Sequence, residues 1–198
     1  MNRPASERHC LTPAPGGLGL VQELLNTAPA ERPGRPDVPD LLADGALGAA
    51  QEWADQAVRD WARETGRADA RLTLTEEDLP KLRCLRDQVR RALGAGDRGG
   101  DAVRFTSAPV VVGLAGDGTL TLEPEGAGAR WLASAVLAEA LLAQASDVWR
   151  RLKICRNAPC AAAFYDRSRN NSGVWHSVRG CGNAAHVRAC RERRRVQA

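Results

Sequence analysis

The sequence predicts an α+β protein in which a mainly helical amino-terminal domain with one β-hairpin precedes a small carboxy-terminal ββα-like module. Apolar residues recur at three- and four-residue steps over most of residues 1–150, which is the period of an amphipathic helix. One stretch there alternates instead, and the last quarter concentrates cysteine and arginine. We therefore expect a loose arm at residues 1–17, a helical and β-hairpin domain at residues 18–150, and a separate module at residues 151–198.

The first half of the amino-terminal domain predicts two helices joined by a loop. The arm contains prolines and glycines, and the apolar run Leu18–Leu25 that follows it predicts a short helix. Residues 28–39 hold four prolines and predict a loop. From about Asp40 to Thr65, apolar residues at helical spacing predict a second helix with Trp53 and Trp61 on its buried face.

The second half of this domain predicts a helix, a hairpin and a long helix. Thr75 followed by three acidic residues is typical of a helix start, because carboxylates interact favourably with the positive end of the helix dipole. A β-prone region begins at Arg104-Phe105, and the turn Gly116–Gly118 inside it predicts a hairpin. An apolar-faced helix from Trp131 to Leu152 leaves little linker before the last module, so we expect that module to dock on the helical domain. The expected core residues are Trp53, Trp61, Leu85, Trp131 and Leu141.

Length and composition limit the class of protein. A chain of 198 residues with 43% hydrophobic residues can bury one sizeable core, whereas a module of about 40 residues needs a metal or disulfides to fold. No apolar run approaches the roughly 20 residues that cross a bilayer, and the first residues lack the apolar segment of a secretory signal. We expect a cytoplasmic protein without membrane contact, in which clustered cysteines bind metal rather than form disulfides.

Four metal-binding residues with mirrored spacing lie in the last quarter. Cys155-x4-Cys160 is followed, after fifteen residues, by His176-x4-Cys181. Three thiolates and one imidazole form a donor set that Zn²⁺ favours in closed, tetrahedral structural sites. The sequence therefore predicts one structural Zn²⁺ per chain. His186 and Cys190, four residues apart on the last helix, are an alternative pair, but the mirrored pattern favours His176.

The local sequence of this zinc finger predicts two strands and a helix. Ala161–Tyr165 predicts one strand and Val174–Ser177 its partner, with a polar turn between them. Gly182 suits tight backbone near the thiolates, and Asn183 predicts the cap of a helix that starts at Ala184. Because four donors leave no open position for water, we expect the metal to determine the fold and not to catalyse a reaction.

Several short motifs resemble the CGNR zinc-finger family of bacterial proteins. The similar segments are Cys155–Cys160, Phe164–Asn170, Trp175-His176-Ser177 and Cys181-Gly182-Asn183. His176 replaces a cysteine of that family, and Ala184 replaces the arginine that ends its name. A looser likeness, residues 20–27, is similar to the amino-terminal domain usually fused to this finger, which is described as a stress-induced transcription regulator. The resemblance implies a zinc-dependent bacterial regulator with a regulatory domain at residues 18–150.

Charge is distributed very unevenly along the chain. Residues 151–198 contain eleven Arg or Lys and two acidic residues, a net +9, whereas the whole chain carries only +4. A strongly basic metal-stapled module is typical of nucleic-acid binding, because arginine pairs with phosphate and stacks on bases. A solvated basic face without a specific partner is the alternative. The candidate nucleic-acid-binding residues are Arg167, Arg169, Arg179, Arg188, Arg191 and Arg195.

Two functions of different classes remain open from the sequence. The first is a transcription regulator whose finger binds nucleic acid, DNA rather than RNA, and whose acidic helical domain binds a small-molecule effector or forms a homodimer. The second is a zinc-stabilised protein-interaction module without nucleic-acid binding. No catalytic constellation or phosphate-binding loop is evident, since Gly16-Gly-Leu-Gly follows no predicted strand, so we do not expect an enzyme.

Overall fold

The computed structural model describes residues 4–30, 37–94 and 108–196. In these ranges five α-helices and two antiparallel two-stranded sheets form an α+β fold, as the sequence predicts. The helices are α1 (Leu18–Leu25), α2 (Leu47–Thr65), α3 (Asp78–Ala92), α4 (Gly128–Ala145) and α5 (Asn183–Val196). The strands are β1 (Val110–Leu114), β2 (Leu120–Pro124), β3 (Leu152–Ile154) and β4 (Ala163–Tyr165). No helix in the described ranges is long and apolar enough to cross a membrane.

Helix α1 lies at the centre of the core. It packs against α2, α3, α4 and β4, and seven of its eight residues are buried. A helix that is apolar on most of its surface is stable only when other elements surround it. Leu20, Leu24 and Leu25 are completely buried, and each contributes about 1.5–3 kcal/mol through removal of apolar surface from water.

A buried carboxylate connects α1, α2 and α4. The Trp61 indole Nε1 donates a hydrogen bond of 2.9 Å to the Glu139 carboxylate, and Arg67 forms an ion pair with the same oxygen at 3.0 Å. The carboxylate lies against the backbone at the start of α1, where a Cβ on Gly17 would come within 1.8 Å of Glu139 Oε2. Gly17 is therefore required by this close approach. The Trp61 ring also makes an edge contact with Trp131, with 5.5 Å between centroids.

The arm differs from the sequence prediction. Residues 4–17 pack against the helical domain, because the backbone N–H groups of Ala5 and Ser6 donate hydrogen bonds to the buried Glu23 carboxylate at 2.6 and 2.9 Å. The Ala14 N–H donates to Gln22 in the same way. Proline and glycine content suggested a loose segment, but buried acceptors on α1 bind its backbone.

Two helix boundaries also differ from prediction. Helix α2 begins at Leu47 and not near Asp40, because Asp40 accepts hydrogen bonds from Arg86 and from the Leu42 N–H, and Gly45 then adopts a left-handed conformation. Helix α4 ends at Ala145, because the chain leaves the helical conformation two residues later, at Asp147, which has a φ of 57°. The residues expected to complete this helix instead form a short 3₁₀ turn, Trp149–Arg151, and β3.

Four of the five expected core residues are buried, and the hairpin lies where the sequence places it. Leu141 is the exception, with 60% of its surface exposed. The hairpin pairs Val110 with Pro124 and Leu114 with Leu120, and the left-handed Gly118 allows its turn. The segment Arg104-Phe105, predicted to begin the β-prone region, lies outside the described residues.

Trp61→Phe should destabilise the protein more than Trp53→Phe. Both substitutions shrink a buried aromatic side chain in the same core, but Trp61→Phe also removes a hydrogen bond to a buried carboxylate, which contributes about 1.5–3 kcal/mol. Trp53 Nε1 makes no hydrogen bond within the described part of the chain. Urea unfolding of both variants measures the difference, and equal losses would show that Arg67 alone satisfies Glu139.

Candidate metal centre and basic finger

The four predicted ligands come together in the structure. The sulfur atoms of Cys155, Cys160 and Cys181 and a ring nitrogen of His176 all lie within 4.8 Å of one another. His176 Nδ1 is 3.4 Å from Cys160 Sγ and 3.6 Å from Cys181 Sγ. Tetrahedral zinc with thiolate and imidazole ligands requires donor separations of about 3.3–3.8 Å, so His176 presents Nδ1 at a suitable distance. The donor set fits one structural Zn²⁺.

Tight turns position both ligand pairs. Cys155 follows β3, and the N–H groups of Cys160 and Ala161 donate to the Asn157 carbonyl, which closes the first knuckle. Ala161 takes a left-handed φ of 44° to leave that turn. The second knuckle is a π-helical turn, Val178–Gly182, in which the Ser177 hydroxyl accepts a hydrogen bond from the Gly180 N–H.

Ser177 therefore caps the second knuckle, the role that the sequence suggested for Asn183 at the next helix. Asn183 is instead the first residue of α5, with helical φ and ψ values. Gly182 leaves room for the Trp175 ring, which a Cβ would meet at 3.3 Å. A larger residue at this position would press on the ring that covers the knuckle.

A hydrogen-bonded pair supports one of the thiolates. The Asn157 amide Nδ2 donates to Cys181 Sγ at 3.3 Å, and the Arg188 guanidinium donates to Asn157 Oδ1. Groups of this kind orient metal ligands and tune their basicity. Asn157 is not among the residues predicted from the sequence, although its place between Cys155 and Cys160 is a usable signal. Arg188 is predicted only as a nucleic-acid contact.

The pKa values of the three thiols in the cluster are shifted from the usual cysteine value. A hydrogen bond from the Cys160 thiol lowers the pKa of Cys155 to about 3, and the same bond together with burial raises the pKa of Cys160. Burial raises the pKa of Cys181. Because zinc is bound by thiolates, its binding displaces the protons that these thiols carry.

The strand pairing of the finger differs from prediction. Strand β4 pairs with β3 and not with Val174–Ser177, because the chain before Cys155 is extended where a helix was expected. Between β4 and Val174, the polar turn is organised by Asp166, which accepts hydrogen bonds from Lys153 Nζ at 2.7 Å and from the Gly173 N–H at 2.6 Å. Burial would raise the pKa of the Asp166 carboxyl, but these hydrogen bonds outweigh it and keep the pKa well below its usual range.

The finger is docked on the helical domain, as the short connection predicts. Asn26, at the end of α1, donates to the Ala163 carbonyl at 2.9 Å and accepts from the Ala163 N–H at 2.8 Å. Gln22 donates to the same carbonyl. Arg90 of α3 donates to the carbonyls of Leu25 and Ala161, which links the helical core to the first knuckle. Leu152 and Ala163 belong to the main hydrophobic core.

The structure divides the six candidate nucleic-acid-binding arginines into two groups. Arg167 donates to the Pro13 carbonyl and lies over the Tyr165 ring, and Arg188 is bonded to Asn157. The other four are exposed and form no hydrogen bond or ion pair with the described residues; they are Arg169, Arg179, Arg191 and Arg195. Arg156, which the sequence analysis did not single out, is equally exposed and lies directly after Cys155.

Zinc content should depend on Cys160 and not on Cys190. Cys160→Ser removes one of four donors, so one equivalent of zinc should be lost from each chain, together with the free energy that its binding contributes to folding. Cys190 is exposed on α5 and lies outside the four-residue cluster. Metal analysis of purified Cys160→Ser and Cys190→Ser proteins measures both effects. Zinc loss in the Cys190 variant would overturn the ligand set.

Asn26→Ala should destabilise the whole chain by roughly 2–4 kcal/mol, because it removes three hydrogen bonds and leaves the buried N–H of Ala163 unpaired. Asn170→Ala is the matched control, since Asn170 is exposed in the finger turn and should change stability by no more than about 0.5 kcal/mol. Thermal or urea unfolding of the zinc-loaded proteins measures both values. An Asn26 variant as stable as the control would mean that the finger does not depend on this contact.

Comparison with known proteins agrees with the geometry of the carboxy-terminal segment. Residues 151–194 match the family model described as CGNR zinc finger. No curated protein matches the chain significantly. The likeness of residues 20–27 to the amino-terminal regulator domain stays a prediction. Both the sequence match and the clustering of the four ligands make residues 151–194 of this chain similar to a CGNR zinc finger.

Proposed function

We propose that the basic finger binds nucleic acid, DNA in preference to RNA, and that the chain is a bacterial transcription regulator. The observation that carries this proposal is the exposure of α5. Every residue from His186 to Arg195 is exposed, and the helix carries five arginines against the single acidic residue Glu192. A helix of this composition has no buried face to explain its sequence, so its charge is available to a polyanion.

The dimensions of α5 support DNA as the partner. Its 14 residues correspond to a length of about 21 Å, and its main contact with the protein is the knuckle Val178–Gly182 at its amino-terminal end. A projecting α-helix, which is about 10–12 Å wide with its side chains, fits the major groove of B-DNA, which is about 12 Å wide. The major groove of duplex RNA is too narrow for it. Asn183 and His186 lie near the end of the helix that the metal centre fixes.

The remaining free cations extend the same module. Arg156, Arg169 and Arg179 come from the first knuckle, the polar turn and the second knuckle, so they are held by the fold that zinc stabilises. Phosphate contacts would then come both from these three arginines in the body of the finger and from Arg191 and Arg195 on α5. Release of counterions from neutralised phosphates would then make the affinity depend steeply on salt.

We also propose that the zinc has a structural and non-catalytic role. Four protein donors fill a tetrahedral coordination sphere and leave no position for a reactive water. The metal would contribute its binding free energy to folding of the finger.

A protein-interaction module, with a homodimer as its simplest form, is the second candidate. The apolar face of the β1–β2 hairpin supports it, because Val112, Leu114 and Leu120 are 66–72% exposed. Exposed apolar patches of this kind are typical of protein contacts. Zinc would then only fix the fold of the finger.

Reversing Arg191 and Arg195 to Glu should weaken binding of a 20–30 base-pair duplex at least tenfold and flatten its salt dependence, because phosphate contacts are lost. Zinc content should not change, since neither side chain contacts the ligand cluster. Fluorescence anisotropy at about 50 and 200 mM salt measures affinity, with single-stranded RNA of equal length as the competing partner.

The matched control reverses Arg59 and Arg71, two exposed arginines of the helical domain, and applies the same change in net charge. This control should bind like the wild type if the finger is the contact surface. Equal loss in both double variants would indicate attraction by net charge alone. A zinc-loaded wild-type protein that binds neither DNA nor RNA at low salt would instead favour the interaction module.

A further inference from the structure

A cavity of about 380 Å³ lies where the arm, α1, α2 and the finger meet. Small-molecule sites in proteins have volumes of about 300–1,000 Å³ and lie preferentially where structural units adjoin. This cavity is separate from the metal centre and from the exposed arginines of α5. Its finger residue is Arg167, whose guanidinium donates a hydrogen bond of 2.8 Å to the Pro13 carbonyl on the arm.

Part of the cavity lining is apolar and belongs to the hydrophobic core. Leu20 of α1 and Ala57 and Trp61 of α2 are almost fully buried and form part of the lining. The arm contributes Pro13 and Pro15 to the same lining. An apolar body, such as one aromatic ring, would therefore displace water from a surface that the fold already holds in place.

The cavity lining also carries acidic residues. It includes Glu23, Asp60 and Glu64, together with the two cations Arg63 and Arg167. Arg63 is shared by Asp60 at 2.7 Å and Glu64 at 3.8 Å, and it lies mostly in solvent. Arg167 faces the Pro13 carbonyl and the Tyr165 ring. Both cations are thus already engaged, and one carboxylate is left without a cation.

Glu23 is that carboxylate. It is 6% exposed, and its two oxygens accept hydrogen bonds from the N–H groups of Ala5 and Ser6. No basic side chain of the described residues lies within ion-pair distance of it. Burial, reinforced by the nearby Asp60, raises the pKa of Glu23, because its charge is poorly compensated. The Ser6 hydroxyl is a third donor to this carboxylate. Because an ionised carboxylate has about four acceptor positions, one remains for a ligand.

We propose that this cavity binds a small organic monocation, an amine joined to an apolar ring, with its ammonium group directed to Glu23 and Asp60 and its ring against Leu20, Ala57 and Trp61. A neutral or anionic molecule of the same shape would gain the apolar contacts but not the electrostatic attraction. Occupancy would touch the arm, the helical core and Arg167 of the finger together. This proposal concerns ligand binding alone and does not depend on the nucleic-acid function.

The test uses the full-length, zinc-loaded protein and three probes that share a phenyl ring and a two-carbon linker: 2-phenylethylamine, 2-phenylethanol and 3-phenylpropionate. Amide NMR shifts are followed during titration of each probe to about 10 mM. The amine should cause saturable shifts at Gly16, Gly19 and Ala57 and bind at least tenfold more tightly than the alcohol or the acid. No saturable shift with the amine, or equal affinity for all three probes, would overturn the proposal.

Substitutions of the cavity carboxylates test whether their charge contributes to the affinity for the amine. Glu23→Gln and Asp60→Asn should each weaken amine binding, the first at least tenfold, without changing the weak binding of the alcohol. Asp60→Asn is included because Glu23→Gln also changes hydrogen bonds to the arm. Glu52→Gln, on an exposed part of α2 outside the cavity, is the control and should bind the amine like the wild type. Unchanged amine affinity in both cavity variants would contradict the proposal.

Discussion

The fold depends on the buried polar side chains of one short helix. Helix α1 is packed between α2, α3, α4 and β4, and the side chains of Gln22, Glu23 and Asn26 are buried there. A buried polar group costs free energy unless it is hydrogen-bonded, so each of these side chains requires a fixed partner. Glu23 binds the arm, whereas Gln22 and Asn26 bind Ala163 of the finger. Helix α1 therefore determines where the arm and strand β4 are placed.

Zinc completes an arrangement that the helical domain has already begun. The finger contributes only a small cluster of its own, formed around the three cysteines, Ala162 and Phe164. Arg90 and Asn26 bind the backbone directly after Cys160, so the first knuckle is held from two sides. The second knuckle instead leads into α5, which projects away from the core. This asymmetry leaves the basic helix α5 accessible to a partner, while its amino-terminal end is attached to the second knuckle.

The sequence predicts the parts of the protein that depend on local pattern. The four ligands follow from spacing and donor chemistry, and α1, α3 and the β1–β2 hairpin follow from periodicity and turn residues. Long-range contacts account for the differences. Asp40 accepts a hydrogen bond from Arg86, so α2 begins later in the sequence than predicted. Strand β3 forms because β4 pairs with it. Arg167 and Arg188 look like surface cations in sequence, but their acceptors are Pro13 and Asn157, which no local pattern indicates.

The contacts of α1 with both the arm and the finger predict that the helical domain and the zinc finger fold as one cooperative unit. The backbone N–H of Ala163 reports on it most directly, because it belongs to the finger and donates to Asn26 Oδ1 at 2.8 Å. Hydrogen exchange of the zinc-loaded protein measures the free energy that opens this bond. The account predicts that the Ala163 amide exchanges as slowly as the central amides of α1, by global unfolding. Exchange much faster than that of α1 would show that the finger opens independently and would contradict the account.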